Sequence, residues 1–178
     1  MEKMTEAVRE KQLRHRKLME AMIEFDQGSA ERIQHFLKVW SFARLIGEME
    51  GLDSGTQEIL ETAALVHDIG IKSCLGKYGH CKGKQQEEEG PPLAEKLLKE
   101  LGYEKELTER VCWLVGHHHT YAHVEGMDYQ ILLEADYLVN SYENEQSPEQ
   151  IKIFCRNVFR TSSGIRLLSL QSGLELEG

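Results

Sequence analysis

The chain has 178 residues, of which 40% are hydrophobic and 29% charged, and its formal net charge is −9. That length suffices for one substantial core, and the composition excludes both a disordered chain and a membrane-resident one. The acidic balance repels nucleic acid and anionic lipid, so neither a nucleic-acid polymer nor a membrane is expected as a partner.

Apolar residues recur at three- and four-residue spacing in nearly every segment while strand-like alternation is scarce, which predicts an all-α fold in a single domain, residues 1–178. The first helix runs from about Thr5 to Phe25 and breaks at Asp26-Gln27-Gly28. Its start, MEKMTEAVREKQLRHRKLME, mixes charge with apolar residues and lacks a secretory hydrophobic stretch, so a cytoplasmic protein is expected. Its basic cluster, Arg14 to Lys17, is flanked by Glu10 and Glu20 and reads as a solvated face. The helix suits packing on its own domain or on a second copy, which leaves a homo-oligomer open. Ser29 is the predicted N-cap of a second helix, ERIQHFLKVWSFARLIGEME, ending near Gly51. Ser54 and Gln57 fit a capping box ahead of a third, TQEILETAALVHD, which stops around Gly70.

From Ile71 to Gly90 the periodicity fails, and glycines 76, 79, 83 and 90 predict a long loop. Pro91 and Pro92 suit the first turn of the next helix, PPLAEKLLKEL, which Gly102 terminates. Helices over about Glu106–Val115 and Tyr129–Glu143 follow, and Ser147-Pro148-Glu149-Gln150 begins the last, reaching about Arg160. The tail beyond Gly164 is weakly patterned, and its final LELEG reads as an appended remnant. Cys74, Cys81, Cys112 and Cys155 have no CxxC spacing and are expected to be free thiols.

Polar residues on an apolar stripe must be paired or bound to something. His35 shares a face with Val39, Phe42 and Ile46. His67 and Asp68 close a helix whose opposite face carries Glu58 and Glu61, and Asp136 lies on the stripe of Leu132, Leu133 and Val139. A lone inward histidine is ordinarily a hydrogen-bonded core residue, and a lone aspartate ordinarily a cap. Four such residues on three helices, two of them adjacent, point instead to a divalent cation that satisfies them together. Imidazole and carboxylate ligands suit iron, manganese or zinc, with cobalt and nickel as further candidates.

These residues give the chain its resemblance to the HD-domain superfamily of metal-dependent phosphohydrolases. It rests on His35, on His67-Asp68 within AALVHDIG, and on Asp136 within ILLEADYLVN, in the family's order. The resemblance implies a helical bundle of five or more core helices over about 29–160, with the N-terminal helix of about 5–25 packing on it. It further implies one metal held by His35, His67, Asp68 and Asp136, and hydrolysis of a phosphomonoester or phosphodiester, such as a nucleotide or another small phosphorylated metabolite. Two alternatives come with it: a non-catalytic metal- and nucleotide-binding regulatory module, and a di-iron oxygenase of the same superfamily. Some members hold a second metal. Here the stripe of Val111, Leu114 and Val115 turns His118 of LVGHHHTY inward with His117 beside it, so one of the pair is a candidate ligand, and Glu89, which stands where a further histidine is expected, is another.

Asp68, His67, His118 and Lys72 are the candidate catalytic residues. The glycine-rich stretch KSCLGKYGHCKGK offers Lys72, Lys77 and Lys82 as substrate-binding residues, because lysine is a point-charge partner for phosphate. The same stretch holds Cys74, His80 and Cys81, three ligands of an incomplete structural zinc site.

Overall fold

In the computed structural model, which describes residues 6–177, the three- and four-residue spacing of apolar side chains is resolved into nine α-helices among the described residues. They are α1 (Glu6–Phe25), α2 (Ala30–Met49), α3 (Ser54–Val66), α4 (Ile71–Tyr78), α5 (Gly83–Glu100), α6 (Lys105–Val115), α7 (Met127–Glu143), α8 (Pro148–Val158) and α9 (Ser162–Ser172). The expected helix start at Thr5 lies outside the described residues.

The centre of the bundle is α7, apolar on nearly all sides. Residues 128–139 are buried without interruption, and Ile131, Leu132 and Leu138 are fully so. α7 packs against α2 and α3, α2 against α3, and α6 against α3 and α5. α1 lies on α3, burying Leu18 and Met22; each such side chain contributes about 1.5–3 kcal/mol of transfer free energy. No helix among the described residues is long and apolar enough to cross a membrane. All four cysteines are free thiols.

Two expected caps change. Ser29 makes no side-chain cap hydrogen bond. Asp53, not Ser54, caps α3, its Oδ1 accepting from the backbone N–H of Gly55 at 2.9 Å and Thr56 at 3.1 Å. Gln57 turns inward, where its Nε2 donates to Glu61. The Ser147–Gln150 capping box of α8 is present in both directions.

The predicted loop over 71–90 is a correction, for only residues 79–82 lie between α4 and α5. Gly79, at φ 70°, ends α4 in the left-handed region. Gly83 and Gly90 are packing glycines. A Cβ at Gly83 would meet the His119 ring at 2.8 Å, and one at Gly90 would meet Val115 Cγ1 at 2.6 Å. Their spacing suggested a breaker because sequence does not show what lies opposite a missing side chain. Pro91 and Pro92 accordingly sit inside α5 rather than in its first turn.

α9 is unforeseen. Thr161 caps it, its hydroxyl accepting from Gly164 N–H at 2.9 Å, and the buried Glu134 of α7 receives the chain that leads into it. That carboxylate accepts from the backbone N–H of Arg160 at 2.7 Å and Thr161 at 3.0 Å, from the Thr161 hydroxyl, and from Gln130 Nε2 at 2.7 Å.

Candidate metal centre

Four segments deliver the polar residues to one place. α2 carries His35, the turn after α3 carries His67 and Asp68, the turn after α6 carries His118, and the middle of α7 carries Asp136. His67 keeps right-handed helical angles as the cap of α3, which aims the doublet along the helix axis into the bundle. His35 Nε2 is 3.3 Å from His67 Nε2, 3.4 Å from Asp68 Oδ2 and 3.2 Å from Asp136 Oδ1. His67 Nε2 is 3.5 Å from each of the same two oxygens. Atoms bound about 2.1 Å from one ion stand roughly 3.0–3.5 Å apart, so these separations suit a shared cation.

The histidines are oriented from behind. His35 Nδ1 donates to Glu143 Oε2 at 2.7 Å, His67 Nδ1 to the Ala64 carbonyl at 2.9 Å, and His118 Nδ1 to the Val115 carbonyl at 2.7 Å. With the proton engaged at Nδ1, each Nε2 presents its lone pair to the centre, the arrangement that metal-binding imidazoles use. His118 Nε2 lies 3.4 Å from Asp68 Oδ1, yet it is buried without a hydrogen-bond partner. Such an orphaned nitrogen calls for a ligand. Asn140 Nδ2 donates to Asp136 Oδ1 at 2.8 Å and fixes that carboxylate.

Electrostatics make the same demand for positive charge. Burial by itself would lower the His35 pKa, but the hydrogen bond that Asp136 accepts, the Asp68 and Asp136 charges and the Glu143 hydrogen bond outweigh it and raise it to about 9. Burial would raise the pKa of both aspartates, and the facing histidines hold each well below the usual carboxylate range instead. His118 is likewise raised, its burial outweighed by Asp68 and Asp136. A divalent cation would relieve all of these groups at once.

Among the described residues two groups have the spacing to hold a metal: His35 with His67 and Asp68, and Asp68 with His118 and His119. Asp68 belongs to both. Asp136 joins the first through its approach to His35 and His67. Neither group includes a cysteine, so the zinc reading of Cys74, His80 and Cys81 finds no support.

Several expected members stand elsewhere. His117 stacks on Trp113 with ring centroids 4.2 Å apart and bonds the Trp113 carbonyl, turning it away from the cluster. Glu89 is held by Ser73, Lys77 and Tyr78, and it enters neither metal group. Lys77 is thereby committed to Glu89 at 2.5 Å. Lys72 donates to the Phe25 carbonyl at 2.7 Å, and Lys82 is exposed at the start of α5.

The sequence reading missed Glu143, Asn140 and His119. The first two were findable, since Asp136, Asn140 and Glu143 fall on one face of α7 at i, i+4 and i+7. His119 was not. It is drawn in by α5, where Gln86 Oε1 meets its Nε2 at 2.9 Å and Glu87 accepts its backbone N–H at 3.0 Å. Burial, with the adjacent His118 charge, lowers its pKa to about 4.

Comparison with known proteins places these features in a family. The HD domain family model matches residues 32–154. Among solved structures, a predicted HD superfamily hydrolase from an uncultured Thermotogales bacterium is similar in fold, with a TM-score of 0.65 and 21% identity over 89% of this chain and 84% of that one. No curated protein matches the chain.

Proposed function

The chain belongs to the HD-domain family, and from that premise we propose that it is a metal-dependent phosphohydrolase of small phosphomonoesters or phosphodiesters. The observation that carries the reading is the common aim of His35, His67 and His118, each held at Nδ1 so that Nε2 faces the Asp68 and Asp136 carboxylates. A divalent cation held by His35, His67, Asp68 and Asp136 would supply a water of lowered pKa and an electrophilic contact for a phosphoryl oxygen.

The chain's own residues supply the rest. Asp68 is partly exposed and uses its two oxygens differently, Oδ2 towards His35 and His67 and Oδ1 towards His118. It is therefore placed to orient the attacking water while it binds. In hydrolysis the water oxygen forms the new bond to phosphorus, the bond to the ester oxygen breaks, and that oxygen gains a proton. His118 Nε2, 3.4 Å from Asp68 Oδ1, is the group positioned to carry that proton. Glu143 and Asn140 hold His35 and Asp136 in register.

The test is metal analysis of purified protein together with a phosphate-release screen under manganese, iron, cobalt, nickel and zinc supplied singly. Bound metal, release from a narrow set of esters, and loss of both in Asp68→Ala are expected. Full activity in Asp68→Ala, or no release under any metal, overturns the reading.

A further inference from the structure

The helix α1 has two faces. On the inner one, Lys11 and His15 pair with Glu61 of α3 and Arg14 pairs with Glu58, while Leu18 and Met22 are buried. On the outer one, Arg9, Leu13, Arg16, Glu20 and Ile23 recur at spacings of four, three, four and three residues, the period of a coiled-coil seam. All five are exposed. Leu13 and Ile23 are 42% and 40% exposed. Single apolar residues on a surface are common, but these two bracket a cation and an anion.

The order Leu13, Arg16, Glu20, Ile23 is complementary to its own reverse. An antiparallel copy of the helix sets Leu13 against Ile23 of the second copy and Arg16 against its Glu20, and a two-fold axis repeats both contacts. A parallel copy would set Arg16 on Arg16 and Glu20 on Glu20. Within one chain Arg16 and Glu20 meet only loosely, at 3.9 Å, with side chains 68% and 65% exposed. In the antiparallel pair they close into a ring of four alternating charges, flanked on both sides by an apolar contact. The helix dipoles then run in opposite directions, which also favours the pairing. The chain carries −9 overall, so two copies repel at long range. α1 is nearly balanced, with five Lys and Arg against four Glu, so acidic copies can meet there without that repulsion.

We propose that the outer face of α1 is a self-association surface whose partner is a second copy of this chain, in the antiparallel register that joins Leu13 to Ile23 and Arg16 to Glu20. The contact is short, so the dimer is weak and forms with rising concentration. Each α1 stays on its own α3, because the face that packs there is the opposite one. The proposal is independent of the phosphohydrolase reading.

The test is sedimentation of the full chain from about 10 μM to 1 mM, the range in which weak pairs form. A shift from monomer to dimer is expected. Arg16→Glu and Glu20→Arg each put like charges across the seam and should raise Kd by about tenfold or more. The double variant Arg16→Glu/Glu20→Arg should restore dimerisation, which a merely destabilising substitution would not do. The register is read by oxidative crosslinking. Leu13→Cys/Ile23→Cys should link position 13 of one copy to position 23 of the other. Leu13→Cys alone, whose two copies stand about ten residues or roughly 15 Å apart along the axis, should crosslink no more than the parent with its free thiols does. A monomer at every concentration, a Kd unmoved by the single reversals, no rescue in the double variant, or a link between the two positions 13 overturns the proposal.

Discussion

Glu143 stands behind His35, its Oε2 2.7 Å from Nδ1 on the side of the ring opposite the metal cluster, and Lys38 Nζ holds its other oxygen at 2.5 Å. Burial would raise the Glu143 pKa, and these two partners hold it down, so the carboxylate is ionised and accepts the His35 proton. Glu143→Gln keeps the shape and removes the charge. Metal affinity should fall about 10–100-fold, measured by competition with a chelator, while thermal stability changes little. Unchanged affinity would show that Glu143 is only a neighbour.

His118 and His117 are adjacent in sequence and opposed in role. His118→Ala leaves His35, His67, Asp68 and Asp136 in place, so one metal equivalent should remain while turnover drops by roughly 10²–10⁴. His117→Ala removes a ring stacked on Trp113 and should stay near parental activity. Equal damage from both variants refutes the assignment, and elemental analysis of each decides whether a second equivalent depends on Asp68, His118 and His119.

Stripping the metal should make stability depend on alkaline pH. The folded pKa of His35 is about 9 against 6.5 for the free side chain. Its proton therefore stabilises the fold fully below pH 6.5, and that contribution, at most about 3 kcal/mol, is lost as pH rises through 9. The Tm of chelator-treated protein is expected to fall over that window. Metal-loaded protein, whose His35 is already neutral, should show a flatter profile, and cation uptake at pH 7 should release a proton into solution. Identical pH profiles for the two forms would remove His35 from the ligand set.

Gly70 makes the close approach of the HD turn to α5 possible. A Cβ there would meet the Gln86 carbonyl oxygen and the Gly90 nitrogen, each at 2.9 Å, and both are backbone atoms that cannot rotate away. Gly70→Ala should cost about 1–3 kcal/mol, with Tm lowered by roughly 2–4 °C per kcal/mol. Gly76→Ala is the control: it has open space and lies within α4, so it should be neutral or gain about 0.5–1 kcal/mol. A Gly70→Ala protein that melts with the parent would mean that α5 shifts to make room.

Helices with a clear apolar stripe were legible in the sequence, and α2, α6, α7 and α8 lie within a few residues of their expected bounds. Segments whose helicity depends on partners elsewhere were not. The first half of α5 is polar and glycine-bearing and is ordered by contacts with His119, Thr120 and Val115. α9 depends on Glu134, far back in the chain.

The same division runs through the metal centre. Helical periodicity alone turns His35, His67, Asp68 and Asp136 inward, because a residue's face is set by its spacing from apolar neighbours on the same helix. That His119 joins His118 at Asp68, that Glu89 stays out of the metal groups, and that Lys72 and Lys77 are engaged elsewhere were decided only in three dimensions. His118 keeps the inward face set by Val111, Leu114 and Val115, but His119 lies past the end of α6 and is drawn in by Gln86 and Glu87, and the long side chains of Lys72, Lys77 and Glu89 end wherever a partner holds them. Sequence determines the face from which a side chain departs; tertiary structure decides what its far end meets.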